Sequence, residues 1–430
     1  MPRTGLESFC VVSLILFGLS TGVQSGPFTL IRTIDNPAPE PSDSFGSSVA
    51  VADSKILIGA GKDNASGPNV GRAYLYDATT GALLQTFDDP TPTTVDGFGS
   101  ATAISGNRVL IGASRDDTNN DDNGQVHLFD ATTGSLIRTF NNPDGPAQYN
   151  YFGREVHLSG DRVLISSGHE INGAQIGRVH MFDAATGAYI RAFDDPTRTA
   201  HDGFGQEISI SGDRILMSAS GDDTNGSNVG QVHMFDLTTG VLLRTFDNPT
   251  PEPLESFGPL SISGDRVLIG ASRDDTNGNN AGQAYLFDAN TGALLRTLDD
   301  PAPRESGRFG DEVGVFGEYL LISANRDPDG NGDTVLHLFD AETGTLLQTL
   351  EDPVPHYYDG FALDFAVSGD LLVVGAPLDS TYGFGVGQVH IFALSDIVTS
   401  ASEPAGLLLF GLGLALIAAR RRTNVGIATY

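Results

Sequence analysis

The dipeptide Phe-Gly begins at Phe45, Phe98, Phe152, Phe204, Phe257 and Phe309, and a seventh copy reads Phe361-Ala362. The intervals are 53, 54, 52, 53, 52 and 52 residues. A period of this length, held seven times, marks a chain built from supersecondary units that bury their apolar faces only against one another. Whole phrases recur: GDRVLIGASRDDTNG (264–278) and GNRVLIGASRDDTNN (106–120) agree in 13 of 15 letters. Composition and period do not change between copies, so residues 26–394 read as one domain.

One unit, from Phe257, reads FGPLSISGDRVLIGASRDDTNGNNAGQAYLFDANTGALLRTLDDP. Four short runs rich in Val, Ile, Leu, Phe and Tyr are separated by Gly, Asn and Asp, which is strand and turn chemistry. No run is long enough for a helical period. The runs are named strands A (PLSIS), B (RVLIGA), C (QAYLF) and D (ALLRTL). Gly-Asp between A and B and DANTG between C and D are tight hairpin signals. Strand B is apolar on both faces, as a sheet packed between two neighbours requires. The expectation is an all-β, seven-bladed β-propeller of four-stranded antiparallel blades. The last C-strand, from Gln388, has no D-strand after it, whereas TLIRTI (29–34) precedes the first Phe-Gly. Strand 28–35 is therefore expected to complete the seventh blade and remove the free edges.

The ends differ from the body. Residues 1–25 carry Arg3, an apolar run from Phe9 to Leu19 and then small polar residues, the layout of a secretory signal peptide; an uncleaved anchor is the alternative. Residues 395–402 read as a linker. From Glu403, an apolar run of Ala405–Ala419 is followed by Arg420, Arg421 and Arg422, and positive charge holds such a flank in the cytoplasm. The one cysteine, Cys10, lies in the leader, so the mature body has no disulfide. Formal net charge is -30, and removing both ends makes the body more acidic still. Nucleic acid and anionic lipid surfaces are poor partners for it, because phosphate binding rests on Lys and Arg. At 40% hydrophobic residues the chain buries a core.

The recurring FG…SGDRVLIGA…GQVHLFD pattern resembles FG-GAP repeats, the blades of integrin α-subunit heads and of many bacterial surface proteins. The resemblance covers residues 28–394 and implies the propeller fold, while implying little about activity. Integrin-type blades often carry a calcium loop between A and B; here that connection is SGDR or SGNR, too short to wrap an ion. The C-terminus resembles the PEP-CTERM sorting signal of Gram-negative bacteria, with Ser402 in place of its first Pro and eight residues after the arginines. That implies export, processing by an exosortase-type enzyme and a place in the envelope, at the cell surface or in the extracellular matrix. The alternative is a plain membrane anchor, and either way the membrane is touched only through this segment. The Asp-x-x-Thr-Gly turn before a Leu-Leu strand is also similar to quinoprotein propellers, but those dock their blades with Trp and this chain has none.

Strands alternate in direction, so the B–C loops and D–A links share one rim, long and rich in Asp, Asn and Gly. Sites usually sit on such loops. Oxygen ligands at alternating positions suit Ca²⁺. The sequence candidates are Asp327, Asp329, Asn331 and Asp333, which match the first half of an EF-hand loop, although Leu338 stands where its last acid belongs. Looser versions are Asp116, Thr118, Asn120 and Asp122; Asp222, Asp223, Asn225 and Asn228; and Asp274, Asp275 and Asn277. Two readings stand for these loops: Ca²⁺ ligation, or solvated turns. His127, His180, His233, His337 and His390 occupy one place in strand C, where Tyr74 and Tyr285 stand in other blades, and read as packing. No catalytic set is legible. The expected function is a non-catalytic binding, adhesion or structural module whose partner is an extracellular polysaccharide or an envelope protein. The competing expectation is a hydrolase or lyase acting on such a polymer through the acidic face.

Overall fold

The structure is a computed structural model that describes residues 26–394 apart from 120–121, 147–148, 169, 172–173, 199–200 and 327–333. Residues 1–25, expected to be a leader, the segment from 395 onward and residues 327–333 lie outside the described residues. Among the described residues no helix is long and apolar enough to cross a membrane.

Seven four-stranded antiparallel sheets follow one another along the chain. Blade 2 shows the plan, with A at Phe98–Ser105, B at Arg108–Ala113, C at Gln125–Asp130 and D at Leu136–Asn141, paired in that order. The A–B hairpin closes through Gly106 at φ 57°, the positive φ that such a two-residue turn needs at its first central position. In blades 3, 6 and 7 the inner strand shortens to Val156–Ser159, Val313–Phe316 and Phe365–Ser368. There the Phe-Gly step is a turn, closed by the N–H of Gly153, Gly310 and Ala362 on carbonyls of strand B at 2.9 Å. Blade 3 also carries a small hairpin, Glu170–Ile171 with Ala174–Gln175, in its B–C loop.

The ring closes as the sequence requires. Strand Phe28–Asp35 pairs antiparallel with Gln388–Leu394 as the outer strand of the seventh blade. Seven apolar clusters fill the seven blade junctions, each drawing residues from two neighbouring blades. Phe does the docking that Trp does elsewhere: Phe98 meets Phe129 edge-to-face at 6.1 Å, and Phe87 of blade 1 packs on Phe129 of blade 2 at 5.1 Å. The glycine of Phe-Gly is dictated by the same junctions. Gly99 sits at φ 89°, and a Cβ there would lie 2.2 Å from the Arg72 carbonyl of blade 1.

A second ladder ties blades at their outer edge. The third D-strand residue reaches the next blade's C–D turn: Gln85 to the Thr132 carbonyl at 2.8 Å, Arg138 to Ala185 at 3.2 Å and Arg191 to Thr238 at 2.7 Å. In blade 6 that residue is Gln348, and the seventh blade has no C–D turn because its outer strand, Phe28–Asp35, comes before the first blade in sequence. Gln348 instead grips Phe28, accepting its N–H at 2.9 Å and donating to its carbonyl at 2.8 Å.

Candidate functional site

The long-loop rim is a geometric fact. Thr91 of the link between blades 1 and 2 lies 3.2 Å from Asp116 of the blade 2 B–C loop, and the Val95 N–H donates to Pro68 of the blade 1 B–C loop at 3.0 Å. On the opposite rim the short turns bond one another, as Ala131 N–H does to the Asn107 carbonyl at 3.0 Å.

Each link holds two backbone positions in the left-handed region, three residues and one residue before the repeat Phe. The first is Ser42, Val95, Tyr149, His201, Leu254, Ser306 or Tyr358, none of them glycine. The residue between the two points inward and is Asp43, Asp96, Asn150, Asp202, Glu255, Gly307 or Asp359. In five of the seven links this turns an acid under the rim while a variable side chain is displayed outward; Val95, Tyr149, Leu254 and Tyr358 are all exposed.

Beneath the rim these acids meet two others. At the junction of blades 1 and 2, Asp89 from the start of the link, Asp96 from its end and Asp116 from the B–C loop bring carboxylate oxygens within 4.8 Å of one another. Asp195, Asp202 and Asp222 do the same at the junction of blades 3 and 4. All six are buried, Asp96, Asp116, Asp202 and Asp222 completely. Burial pushes Asp89 up to about 7, with Asp96 and Asp116 adding repulsion, and Asp96 is raised for the same reasons. The strand C histidines stand behind these clusters. His127 Nδ1 is 3.0 Å from Thr139 Oγ1, its ring packs on Phe98, and its Nε2 faces Asp89 Oδ1 at 3.8 Å. Burial holds His127, His337 and His390 down to about 4, so they stand there neutral.

The sequence-derived calcium loops are distributed differently. Asp116, Asp222 and Asp274 turn inward and are fully buried, whereas Asp117, Asp223 and Asp275 are exposed. The outer acids close the loops on themselves: Asp117 accepts the Asp122 N–H at 2.7 Å, and Asp223 and Asp275 accept the N–H of Asn228 and Asn280. Thr118 is exposed, and its N–H donates to Asp116 at 2.8 Å. Asp116 is therefore brought to Asp89 and Asp96 from other segments, rather than to Thr118 and Asp122 of its own loop. Asn120 and the Asp327, Asp329, Asn331 and Asp333 set fall outside the described residues.

Sequence reasoning missed a second acidic group. The inner strands enclose a central cavity of about 450 Å³ whose lining includes Glu155, Glu207, Glu312 and Asp364. All four stand three residues after the repeat Phe, where the other blades have Ser48, Ala101 and Leu260. Reading that column across the repeats would have exposed it. His157 Nε2 lies 2.8 Å from Glu155 Oε1, and the Val49 N–H donates to Asp364 at 2.7 Å. Crowding away from bulk water, then mutual repulsion, pushes Glu207 up to about 8 and Glu312 well above the usual carboxylate range.

The rim is not uniform. Tyr357, Tyr358, Tyr382 and Phe384 are exposed, Phe384 by 80%, and all lie on the last link or the blade 7 B–C loop. Tyr358 also borders a cavity of about 200 Å³ lined by Arg308, Asp311 and Asn325.

No curated protein matches the chain. Among solved structures, the computationally designed Ika8 protein is similar over 84% of this chain and 98% of that one, at 16% identity and a TM-score of 0.47. The sequence model described as the FG-GAP repeat matches residues 39–76, 92–129, 197–235 and 256–287, that is, the A, B and C strands of blades 1, 2, 4 and 5. The seven sheets repeat that unit around the ring, and the chain carries FG-GAP repeats in a seven-bladed β-propeller.

Proposed function

We propose that the protein is an exported surface or matrix module that binds an extracellular polysaccharide on its long-loop rim, without catalysis. The observation that carries this reading is the concentration of Tyr357, Tyr358, Tyr382 and Phe384 beside blade 7, next to a small cavity of mixed lining. Exposed aromatic groups on an otherwise acidic rim mark an interaction site, and flat rings suit the apolar faces of sugars. Their loop is fixed, since the Ser42 N–H of the next blade donates to the Phe384 carbonyl at 2.7 Å. Export rests on the leader-like residues 1–25 and the PEP-CTERM-like segment 403–430 with its Arg420–Arg422 cluster.

A glycan array probed with the full chain tests the binding. One or more acidic or neutral polysaccharides should be retained, and the combined change Tyr357→Ala, Tyr382→Ala and Phe384→Ala should weaken retention by at least about tenfold with an unchanged Tm. Equal retention by the triple variant sinks the reading. Mass spectrometry of chain recovered from its native envelope should find termini near residues 25 and 403; a chain still starting at Met1 overturns export. The channel carboxylates Glu155, Glu207, Glu312 and Asp364 favour a second reading, polymer hydrolysis or elimination by paired acids. Release of new chain ends from an array-positive polymer decides it, and no release removes it.

A further inference from the structure

Seven blade junctions repeat one arrangement with different side chains, and the comparison isolates two of them. At two junctions an amide in the first position donates to the acid in the second: Asn36 Nδ2 to Asp43 Oδ2 at 2.9 Å, and Asn248 Nδ2 to Glu255 Oε2 at 2.5 Å. The first of these junctions also has Arg72, 3.8 Å from Asp63. The junction of blades 2 and 3 has Asn142 and Asn150 in place of two acids. The junction of blades 6 and 7 has three acids, Asp352, Asp359 and Asp379, and there His356 Nδ1 stands 2.9 Å from Asp379. The junctions of blades 1 and 2 and of blades 3 and 4 have three aspartates and none of these devices. Gln125 and Gln231 replace Arg72, and neither Asp89, Asp96 and Asp116 nor Asp195 and Asp222 has a Lys or Arg ion pair among the described residues.

One carboxylate oxygen at each place lacks a donor. Asp89 and Asp195 are more than nine-tenths buried, and each keeps Oδ2 without a hydrogen-bond partner. Thr197 Oγ1 lies 2.7 Å from Asp195 Oδ1 and 2.6 Å from Asp222 Oδ2, so one hydroxyl proton is divided between two carboxylates. Thr91 Oγ1 similarly faces Asp89 Oδ1, Asp116 Oδ2 and Gln125 Oε1. The His127 and His233 Nε2 atoms stand 3.8 and 4.0 Å from Asp89 and Asp195, buried and without a hydrogen-bond partner.

We infer that Asp89, Asp96 and Asp116, and independently Asp195, Asp202 and Asp222, each hold a calcium ion beneath the long-loop rim, bridging two blades. Three converging carboxylates, one of them with a buried unpartnered oxygen (Oδ2 of Asp89 and of Asp195), are hard-cation chemistry. Oxygens on a shell of about 2.4 Å radius lie at most about 4.8 Å apart, the separation both clusters satisfy. Each ion ties the D–A link to the B–C loop of the blade it enters. These positions lie on the rim opposite the A–B turns where integrin-type blades carry calcium. The inference does not rest on the polysaccharide reading, and binding of the metal is read without any glycan.

The test is isothermal titration of the EDTA-treated full chain with CaCl2, at pH 7.5. The wild type should take two ions and gain Tm with CaCl2. Asp89→Asn should take one ion, Asp195→Asn one, and the double variant none, with no calcium-dependent Tm. Asn already stands at this position in three junctions, so these variants keep the fold; melting in EDTA checks that, and Asp116→Asn and Asp222→Asn serve as second probes of the same two sites. Absence of heat and of a Tm shift in the wild type overturns the inference, and a Tm that instead falls between pH 6 and 8 identifies bound protons in place of calcium. Two ions retained by the double variant also overturn it, since the metal would then sit in other loops.

Discussion

At Val95 a β-branched residue holds φ at 68° on an exposed link. Such residues avoid this region because Cβ crowds the backbone, at a cost of about 1–2 kcal/mol. The strain persists because Val95 N–H is bonded to Pro68 and because the next residue, Asp96, must turn inward. Asn tolerates the same conformation, so Val95→Asn should stabilise the protein by about 1 kcal/mol in urea unfolding. A destabilised variant would mean that the exposed valine makes contacts worth more than its strain. The same column of the repeat gives Tyr149, Leu254 and Tyr358, so strain and display of a variable side chain go together.

Among the elements, strand Phe28–Asp35 has the most to decide, since it alone converts an open array into a ring. Its pairing with Gln388–Leu394 carries most of the closure, and Gln348 adds the clamp on Phe28. Both Phe28 and Gln348 are buried. Gln348→Ala would strand a buried N–H and a buried carbonyl, and should cost about 2–4 kcal/mol, whereas Gln85→Ala, at the equivalent but half-buried position of blade 1, should cost about 1 kcal/mol. Urea midpoints of the two variants check the contrast; equal losses would show that Gln348 is only another rung of the outer ladder. Deleting residues 28–35 should destabilise the whole body, because every other blade depends on a closed ring.

The central cavity belongs to the whole molecule, for no single blade encloses it. Its carboxylates meet only when blades 3, 4, 6 and 7 are brought round the axis. Glu207 rises to about 8 in the folded chain and returns to about 4.5 on unfolding. The folded form therefore binds a proton that the unfolded form loses. That contribution is fully present below about pH 4.5 and is lost as pH rises through 8. Between pH 5 and 8, stability of the wild type should fall more steeply than that of Glu207→Gln; parallel profiles from denaturant unfolding would show that the cavity keeps Glu207 solvated.

The fold was legible in the sequence because it is local chemistry written seven times: Gly-Asp and DANTG turns, five-residue apolar runs and a D-strand displaced to the front of the chain. Each of these acts within one repeat or between neighbours in a fixed order. The loop acids at Asp116, Asp222 and Asp274 were legible as residue types, and their partners were not. Asp89 lies 27 residues before Asp116 in a different blade, and reading along one loop joins Asp116 to Thr118 and Asp122 instead. The inward turn of Asp96 is set by left-handed link residues that no composition rule marks, since Val, Leu and Tyr occupy that column. Sequence determined the blades and their number; tertiary structure decided which carboxylates converge, because convergence depends on ring closure and on backbone strain at the links.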